Sequence, residues 1–373
     1  MIIQSISLRQ FRCFQDQEFD TDSRIVIVEG HNGSGKSSLL EAIHYACYLR
    51  SFRTHLNRDL MQIGQDFFYI NVAYQPADAS IPDHIQVGFS NQEGKVVKLN
   101  QQPVQSYKEL IEQFRVVTLA ADDLELINGA PELRRDFLNY AMALKDPAVL
   151  AVLKEYRHIL EQRNTLLHQG MRHTAQPTDE WRVWTEQLWQ AAHRVQLLRR
   201  VYLQELENAV NTLLRDYFTD TAPEGMSVSF LYQAKGLHDE ETFEHFWQHY
   251  TVKQFAQECD WKRSLFGAHL DDFQVIFQHK KARIFASRGQ QKLLVLLIKM
   301  AQLQQLSEQG EPGVLLLDDF MTDFDHNNVT RCITALKNLK YQLFLSTPIN
   351  PEAFLQSIDL PELRHIKLGK DSE

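Results

Sequence analysis

The chain has 373 residues, 44% of them hydrophobic and 23% charged, with a formal net charge of −9 at pH 7. These values describe a globular protein of one large or two ordinary domains and exclude a disordered or fibrous chain. The acidic total excludes nucleic-acid binding by bulk charge, so any DNA site must be a local basic surface.

The longest uninterrupted aliphatic run, Leu293 to Ile298, is far too short to span a bilayer. The opening Met1-Ile2-Ile3-Gln4-Ser5 lacks the basic and apolar regions of a signal peptide, and Cys13, Cys47, Cys259 and Cys332 have neither zinc nor disulfide spacing. A reducing, cytoplasmic setting is expected.

From the N-terminus, Ile2 to Leu8 partly alternates and Gln17 to Phe19 forms a second extended stretch. Arg9 and Arg12 point either to a ligand or to solvent, and solvent is the commoner outcome. Arg24-Ile25-Val26-Ile27-Val28-Glu29 reads as a buried strand and Ser37 to Ala46 as a helix. Between them lies Gly30-His31-Asn32-Gly33-Ser34-Gly35-Lys36-Ser37, the phosphate-cradling pattern of a glycine, four free positions and Gly-Lys-Ser. Glycines bring backbone N–H groups close to a polyphosphate, and the helix N-terminus adds partial positive charge. Lys36 is expected to reach the β and γ phosphates of ATP and the Ser37 hydroxyl to hold Mg²⁺, with Gly30, His31, Asn32, Gly33, Ser34, Gly35 and Ser38 completing the nucleotide site.

A polar loop, Arg50-Ser51-Phe52-Arg53-Thr54, follows the first helix. Phe68 to Tyr74, Ile85 to Phe89 and Val96 to Leu99 read as strands, the last two joined by a hairpin connection over 90–94, and Val116 to Leu119 as another. Residues 131–168 and 180–218 show helical spacing and are expected to form two long antiparallel helices, with a loop over 169–179 containing Gly170 and Pro177. Met226 to Tyr232 reads as a strand and Asp239 to Cys259 as a helix. His245 and His249 on that helix have ligand spacing, but Phe246 replaces the glutamate of a zinc-protease motif, so a solvated face is the better reading. The expected organisation is a discontinuous ATPase domain, 1–121 and 260–373, with a helical lobe over 122–259.

In the last third, Phe273 to Phe277 and Ala282 to Phe285 are expected to make a hairpin around 278–281. Ser287-Arg288-Gly289-Gln290-Gln291-Lys292 opens a long helix, and Tyr341 to Ser346 is the last clear strand. Val314-Leu315-Leu316-Leu317 is an apolar strand ending in Asp318 and Asp319. Beside a P-loop, Asp318 is placed to orient Mg²⁺ and Asp319 to polarise an attacking water, which makes Lys36 and Asp319 the expected catalytic pair. Ser287, Arg288, Gly289 and Gln290 form a second anion-binding device at a helix start. The pattern resembles ABC-type ATPases, in which such a signature covers the γ-phosphate held by the other subunit. Asp325 would then lie near the subunit boundary, and an ATP-dependent homodimer is expected.

The chain resembles the RecF family of bacterial recombination proteins over nearly its full length. The matching stretches, in family order, are 8–12, the P-loop with 39–43, 50–54, 123–129, 134–138, 161–167, 267–272, 286–292 and 316–320. The resemblance implies an α/β, ABC-type P-loop ATPase head with mixed sheets and a mostly helical second lobe, related to SMC proteins but without their long coiled coil. It further implies a clamp on duplex DNA beside single-stranded gaps, closed by ATP and opened by slow hydrolysis, that acts with RecR and RecO to load recombinase in recombinational repair at gaps and stalled forks. Ala268, Leu270, Thr322-Asp323-Phe324-Asp325 and Ser346-Thr347-Pro348 depart from the family pattern, and the last stretch leaves the switch residue near Thr347 open. Arg134, Arg135, Lys154, Arg157, Arg163, Arg194, Arg199 and Arg200 are candidates for DNA-phosphate contacts, with solvated faces at least as expected for each. The rival readings are a nucleotide-gated protein scaffold and a defence-type ATPase with a nuclease, for which too little chain follows Asp325.

Overall fold

Alternation between apolar and polar residues builds the first sheet. On β1 (Ile2–Phe11), Ile3, Ile6, Leu8 and Phe11 are buried while Arg9 is exposed. A tight turn with Arg12 at φ 55° leads into β2 (Phe14–Asp20). β3 (Ile25–Gly30) is buried at every position, as a central parallel strand requires. α1 (Lys36–Tyr48) follows and ends at Leu49, whose left-handed backbone returns its N–H to the Tyr45 carbonyl. β4 (Phe67–Gln75), β5 (Asp83–Ser90), β6 (Gly94–Leu99) and β7 (Gln102–Pro103) extend the antiparallel sheet in the order β2-β1-β4-β5-β6-β7. α2 (Tyr107–Gln113) and β8 (Val116–Leu119) close this segment.

The computed structural model describes residues 1–76, 81–169, 177–218, 226–237, 242–307, 313–319, 331–332, 334–336, 338, 341–348 and 363–369. The middle of the chain is mostly helical, with α3 (Glu125–Asn128), α4 (Pro131–Lys145), α5 (Val149–Gln169) and α6 (Asp179–Phe218). The single helix expected over 131–168 is two helices. Asp146 precedes Pro147 and takes an extended backbone (φ −134°, ψ 102°), because the proline ring crowds a helical conformation there. β9 (Val228–Gln233), α7 (Phe243–Lys253) and α8 (Phe255–Trp261) come next, the last two meeting at Gln254 where one helix was expected. β10 (Asp272–Phe277) turns through Gln278 and His279, both left-handed, into the short β11 (Lys280–Lys281). Residues 282–285, expected as a strand, are instead one helical turn, α9 (Ala282–Phe285), seated by the fully buried Ala282.

α10 (Arg288–Ser307), β12 (Val314–Leu317), β13 (Gln342–Thr347) and β14 (Leu363–Leu368) return to the parallel sheet, whose order is β14-β3-β13-β12-β8. β14 pairs parallel to β3 and was not expected: its Arg364, His365 and Lys367 mask the apolar pattern. Two units emerge from the contacts, the described residues within 1–124, 209–225 and 286–373, and those within 125–208 and 226–285. Residues 260–285 thus leave the expected ATPase segment, because β10 pairs with β9 along its full length. Among the described residues no helix is long and apolar enough to cross a membrane.

Each unit has a polar element inside its core. In the first, the ring Nδ1 of buried His44 lies 2.9 Å from the Thr118 hydroxyl. Burial, then the charges of Lys299 and Arg50, push its pKa down to about 3. In the second, fully buried Arg163 donates to Glu258 and Ser264 at 2.6 Å and to Tyr250 at 2.8 Å, with its guanidinium 4.1 Å from the centre of the Trp181 ring. Arg163→Met leaves the Glu258 carboxylate buried and without its cation, and is expected to destabilise the fold by about 3–5 kcal/mol in denaturant titrations. The unfolded His44 imidazole takes a proton that the folded one refuses, so stability is fully present above its ordinary pKa of 6.5 and falls as pH drops towards about 3. His44→Gln is expected to flatten the acid side of the stability curve, read from thermal melts between about pH 7 and 4.

Candidate nucleotide-binding site

The loop between β3 and α1 takes conformations that only its sequence permits. Gly33 and Gly35 have φ of +84° and +105°. A Cβ on Gly35 would lie 2.6 Å from the Cys13 Sγ and 2.8 Å from Phe14, so the turn after β1 presses directly on the loop. Gly30 is excluded from bearing a side chain by Ser34 and by the Leu368 carbonyl of β14. α1 begins at Lys36 with no side-chain cap and no acidic residue in its first turn, which leaves its N–H groups and dipole directed at the loop. Lys36 is buried, and its ammonium donates back to the carbonyls of Gly30 at 2.9 Å and His31 at 3.1 Å. Ser34 Oγ is buried with no hydrogen-bond partner among the described residues, while His31, Asn32 and Gly33 are exposed.

The carboxyl ends of two parallel strands, β12 and β13, supply the opposite wall. Ser37 Oγ donates to Asp318 Oδ1 at 3.0 Å, and Ser346 Oγ on β13 donates to the same oxygen at 2.7 Å. Burial pushes the Asp318 carboxyl above its ordinary range, with the Asp319 charge adding to it, against the lowering from Ser346, Ser37 and Arg53. A nearby cation would reverse that penalty. The Asp319 N–H donates to Ser346 Oγ at 2.8 Å and its side chain faces solvent. Its φ of +48° is left-handed, an uncommon conformation for a residue other than glycine. Lys36, Ser37, Asp318 and Asp319, far apart in sequence, are therefore gathered at one end of the parallel sheet.

Arg12, expected in solvent, instead donates twice to the fully buried Glu41, at 2.8 and 2.7 Å, and also to the Asp59 carbonyl at 2.6 Å. Ser51 Oγ donates to Glu41 at 2.5 Å, and Arg53 lies 3.5 Å from it. This grouping of two arginines and a serine hydroxyl around one carboxylate of α1 was missed by sequence reading, although the polar stretch 50–54 that supplies Ser51 and Arg53 was visible.

The signature residues form a different local device. Ser287 N–H donates to Gln290 Oε1 at 2.9 Å and Gln290 N–H donates to Ser287 Oγ at 3.3 Å, a reciprocal capping box that starts α10. Ser287, Arg288 and Gln290 are exposed, and Gly289 is half-buried between them. Asp325, expected at a subunit boundary, lies outside the described residues.

Three basic candidates for DNA contacts are internal. Arg163 is paired with Glu258, Arg134 with Asp272 at 2.7 Å, and Arg199 donates to the Ala268 carbonyl at 2.6 Å beside Asp271. Each is buried, so none is available to a phosphate backbone. Arg135 donates to the Asp271 carbonyl and Arg194 pairs with Glu155 at the surface, while Lys154 and Arg157 are exposed. His245 and His249 are exposed with rings 4.4 Å apart, and among the described residues no group of three or more His, Cys, Asp or Glu is placed to hold a metal by itself.

A hydroxyl and a carboxylate 3.0 Å apart make the hard oxygen pair that Mg²⁺ accepts, leaving its other positions to phosphate and water. The orphaned Ser34 hydroxyl and the uncapped helix start fit a phosphate in the same way. The residues present therefore fit a magnesium nucleotide.

The family model described as the RecF/RecN/SMC N terminal domain matches residues 2–361. The DNA replication and repair protein RecF of Latilactobacillus sakei is 30% identical over 355 residues, covering 93% of this chain and 92% of the relative. That of Geobacter sulfurreducens is 30% identical over 363 residues, covering 96% of both. The solved structure of the recombination mediator protein RecF-ATP in the RecFOR pathway superposes with a TM-score of 0.81 at 26% identity, over 94% of this chain and 93% of that one. The Smc head bound to the C-winged helix domain of ScpA shares the fold alone, at 14% identity and a TM-score of 0.54 over 96% and 93% of the two chains. The architecture is accordingly that of an ABC-type ATPase head, and the chain belongs to the RecF family.

Proposed function

We propose that this protein is an ATP-dependent switch of DNA replication and repair, a clamp that closes as a homodimer on duplex DNA beside single-stranded gaps. The observation that carries the reading is the hydrogen-bonded series Ser37–Asp318–Ser346–Asp319, which sets a metal pair and a solvent-facing carboxylate beside a P-loop. Relatives named for DNA replication and repair, and a RecF structure holding ATP, support both the nucleotide and the process.

In this reading Gly30 to Ser38 cradle the phosphates of ATP. Lys36 exchanges the Gly30 and His31 carbonyls for phosphate oxygens, and Ser37 and Asp318 hold Mg²⁺, which screens the phosphate charge when bound. Asp319 accepts a hydrogen bond from the attacking water and orients it. Ser287, Arg288, Gly289 and Gln290 cover the γ-phosphate of the partner protomer, at the cost of opening the capping box. Contacts that exist only in the closed dimer let ATP favour it and slow hydrolysis release it. Asp325 belongs near that boundary, and RecO and RecR are the partners with which recombinase is loaded, in the cytoplasm.

A nucleotide-gated scaffold without DNA is the second reading. It is favoured by the net charge of −9 and by the burial of Arg134, Arg163 and Arg199. Salt-dependent retention on gapped DNA separates the two.

Molar mass in solution is expected to shift from monomer to dimer with Mg-ATP, and Ser287→Arg is expected to abolish the shift while keeping ATP binding. A mass unchanged by ATP and gapped DNA would remove the clamp. Lys36→Ala should weaken ATP binding by about one to two powers of ten in nucleotide titrations, the worth of a charge-assisted contact. Asp319→Asn should keep that affinity and lower kcat by about 10²–10⁴. Unchanged turnover in that variant would take Asp319 out of the chemistry.

A further inference from the structure

Lys292 is buried, with 8% of its surface exposed, in the first turns of the signature helix α10. Lysine is among the residues least often buried, since its ammonium loses strong hydration, so the position calls for a reason. Its Nζ donates to the Asp319 carbonyl at 3.1 Å, a contact across 27 residues of sequence.

The residue it holds is the one with the least favourable backbone in the site. Asp319 sits at φ +48°, with its N–H bonded to Ser346 of β13 and its carbonyl to Lys292 of α10. In a left-handed residue the direction of Cβ follows from the orientation of the two flanking peptides. Those two bonds therefore aim the Asp319 carboxylate. One of them is anchored only five residues beyond Ser287, on the helix that begins with the exposed capping box.

We propose that Lys292 is a positioning residue for Asp319, coupling engagement of Ser287 to Gln290 with hydrolysis at the P-loop of the same chain. The inference rests on the ATPase reading above. A helix moves as a rigid body over so short a span, so displacing its first turn displaces the Lys292 Nζ and, with it, the peptide after Asp319. In a dimer whose signatures each cover the partner's nucleotide, ATP bound on one protomer then sets the catalytic geometry of the other. Hydrolysis becomes cooperative even though each carboxylate acts on its own site.

The test compares wild type, Lys292→Met, Lys292→Arg, Asp319→Asn, Lys36→Ala and the Lys292→Met/Asp319→Asn pair by steady-state ATP hydrolysis, nucleotide titration and molar mass with Mg-ATP. Methionine keeps the straight apolar stem and removes only the ammonium. Lys292→Met is expected to bind ATP within about twofold of wild type and to dimerise, while kcat falls about 10- to 100-fold and the Hill coefficient drops to about one. Lys292→Arg, which retains a donor, should recover most of both. In the paired variant the loss should equal that of Asp319→Asn alone, since a residue acting through Asp319 has nothing left to position.

Wild-type kcat and cooperativity in Lys292→Met, or additive losses in the pair, would overturn the assignment while leaving the ATPase reading intact. Absence of Lys36-dependent hydrolysis in the wild type would overturn both. If thermal melts show Lys292→Met misfolded, Lys292→Gln, whose amide is too short to reach the Asp319 carbonyl, carries the same expectations.

Discussion

A single carboxylate oxygen, Asp318 Oδ1, ties the candidate nucleotide site together. It accepts hydrogen bonds from the first turn of α1 and from β13, and it stands at the end of β12. That meeting is possible only because the parallel strands run level, with Leu317 opposite Leu345 and Leu345 opposite Ile27. In parallel α/β sheets the ligand crevice lies outside the carboxyl ends of the strands, where chain after chain leaves the sheet at one edge. A slip of one residue in either pairing would turn Asp318 or Ser346 to the other face of the sheet and dismantle the site.

Three residues at the same edge have a positive φ, Gly33, Gly35 and Asp319, and two of them are closely held: Cys13 and Phe14 press on Gly35, and Ser346 and Lys292 bond the Asp319 peptide groups. An uncommon backbone conformation persists where surrounding bonds over-determine it, as they do at Asp319. Lys36 shows the complementary device, since its ammonium rests on the carbonyls of its own loop and its buried charge stays satisfied.

In the second unit the same economy of buried charge works against a simple basic surface. Arg134, Arg163 and Arg199 look in the sequence like a phosphate-binding series, yet they lie on three different helices, α4, α5 and α6, and each is drawn inward by a carboxylate or carbonyl. Arg163 alone meets Glu258, Ser264, Tyr250 and the Trp181 ring, which makes it the polar centre of an aromatic core. On α5 the candidates Lys154 and Arg157 are exposed to solvent or a polyanion.

The P-loop, the strand before it, the helix after it and the acidic end of β12 were legible in the sequence, because each depends on neighbours a few residues away. So in principle was the break at Pro147, whose cause is local. The edge strand β14 was not, because an edge strand tolerates the charges that hide its pattern, and only its pairing with β3 declares it. The Arg12–Glu41 pairing, the role of Ser346 and the reach of Lys292 to Asp319 span separations of 27 to 29 residues. Residue type and spacing determined which groups this chain possesses; the register of the parallel sheet and the placement of α10 decided which of them touch, because contacts between distant residues are set by packing and leave no period in the sequence.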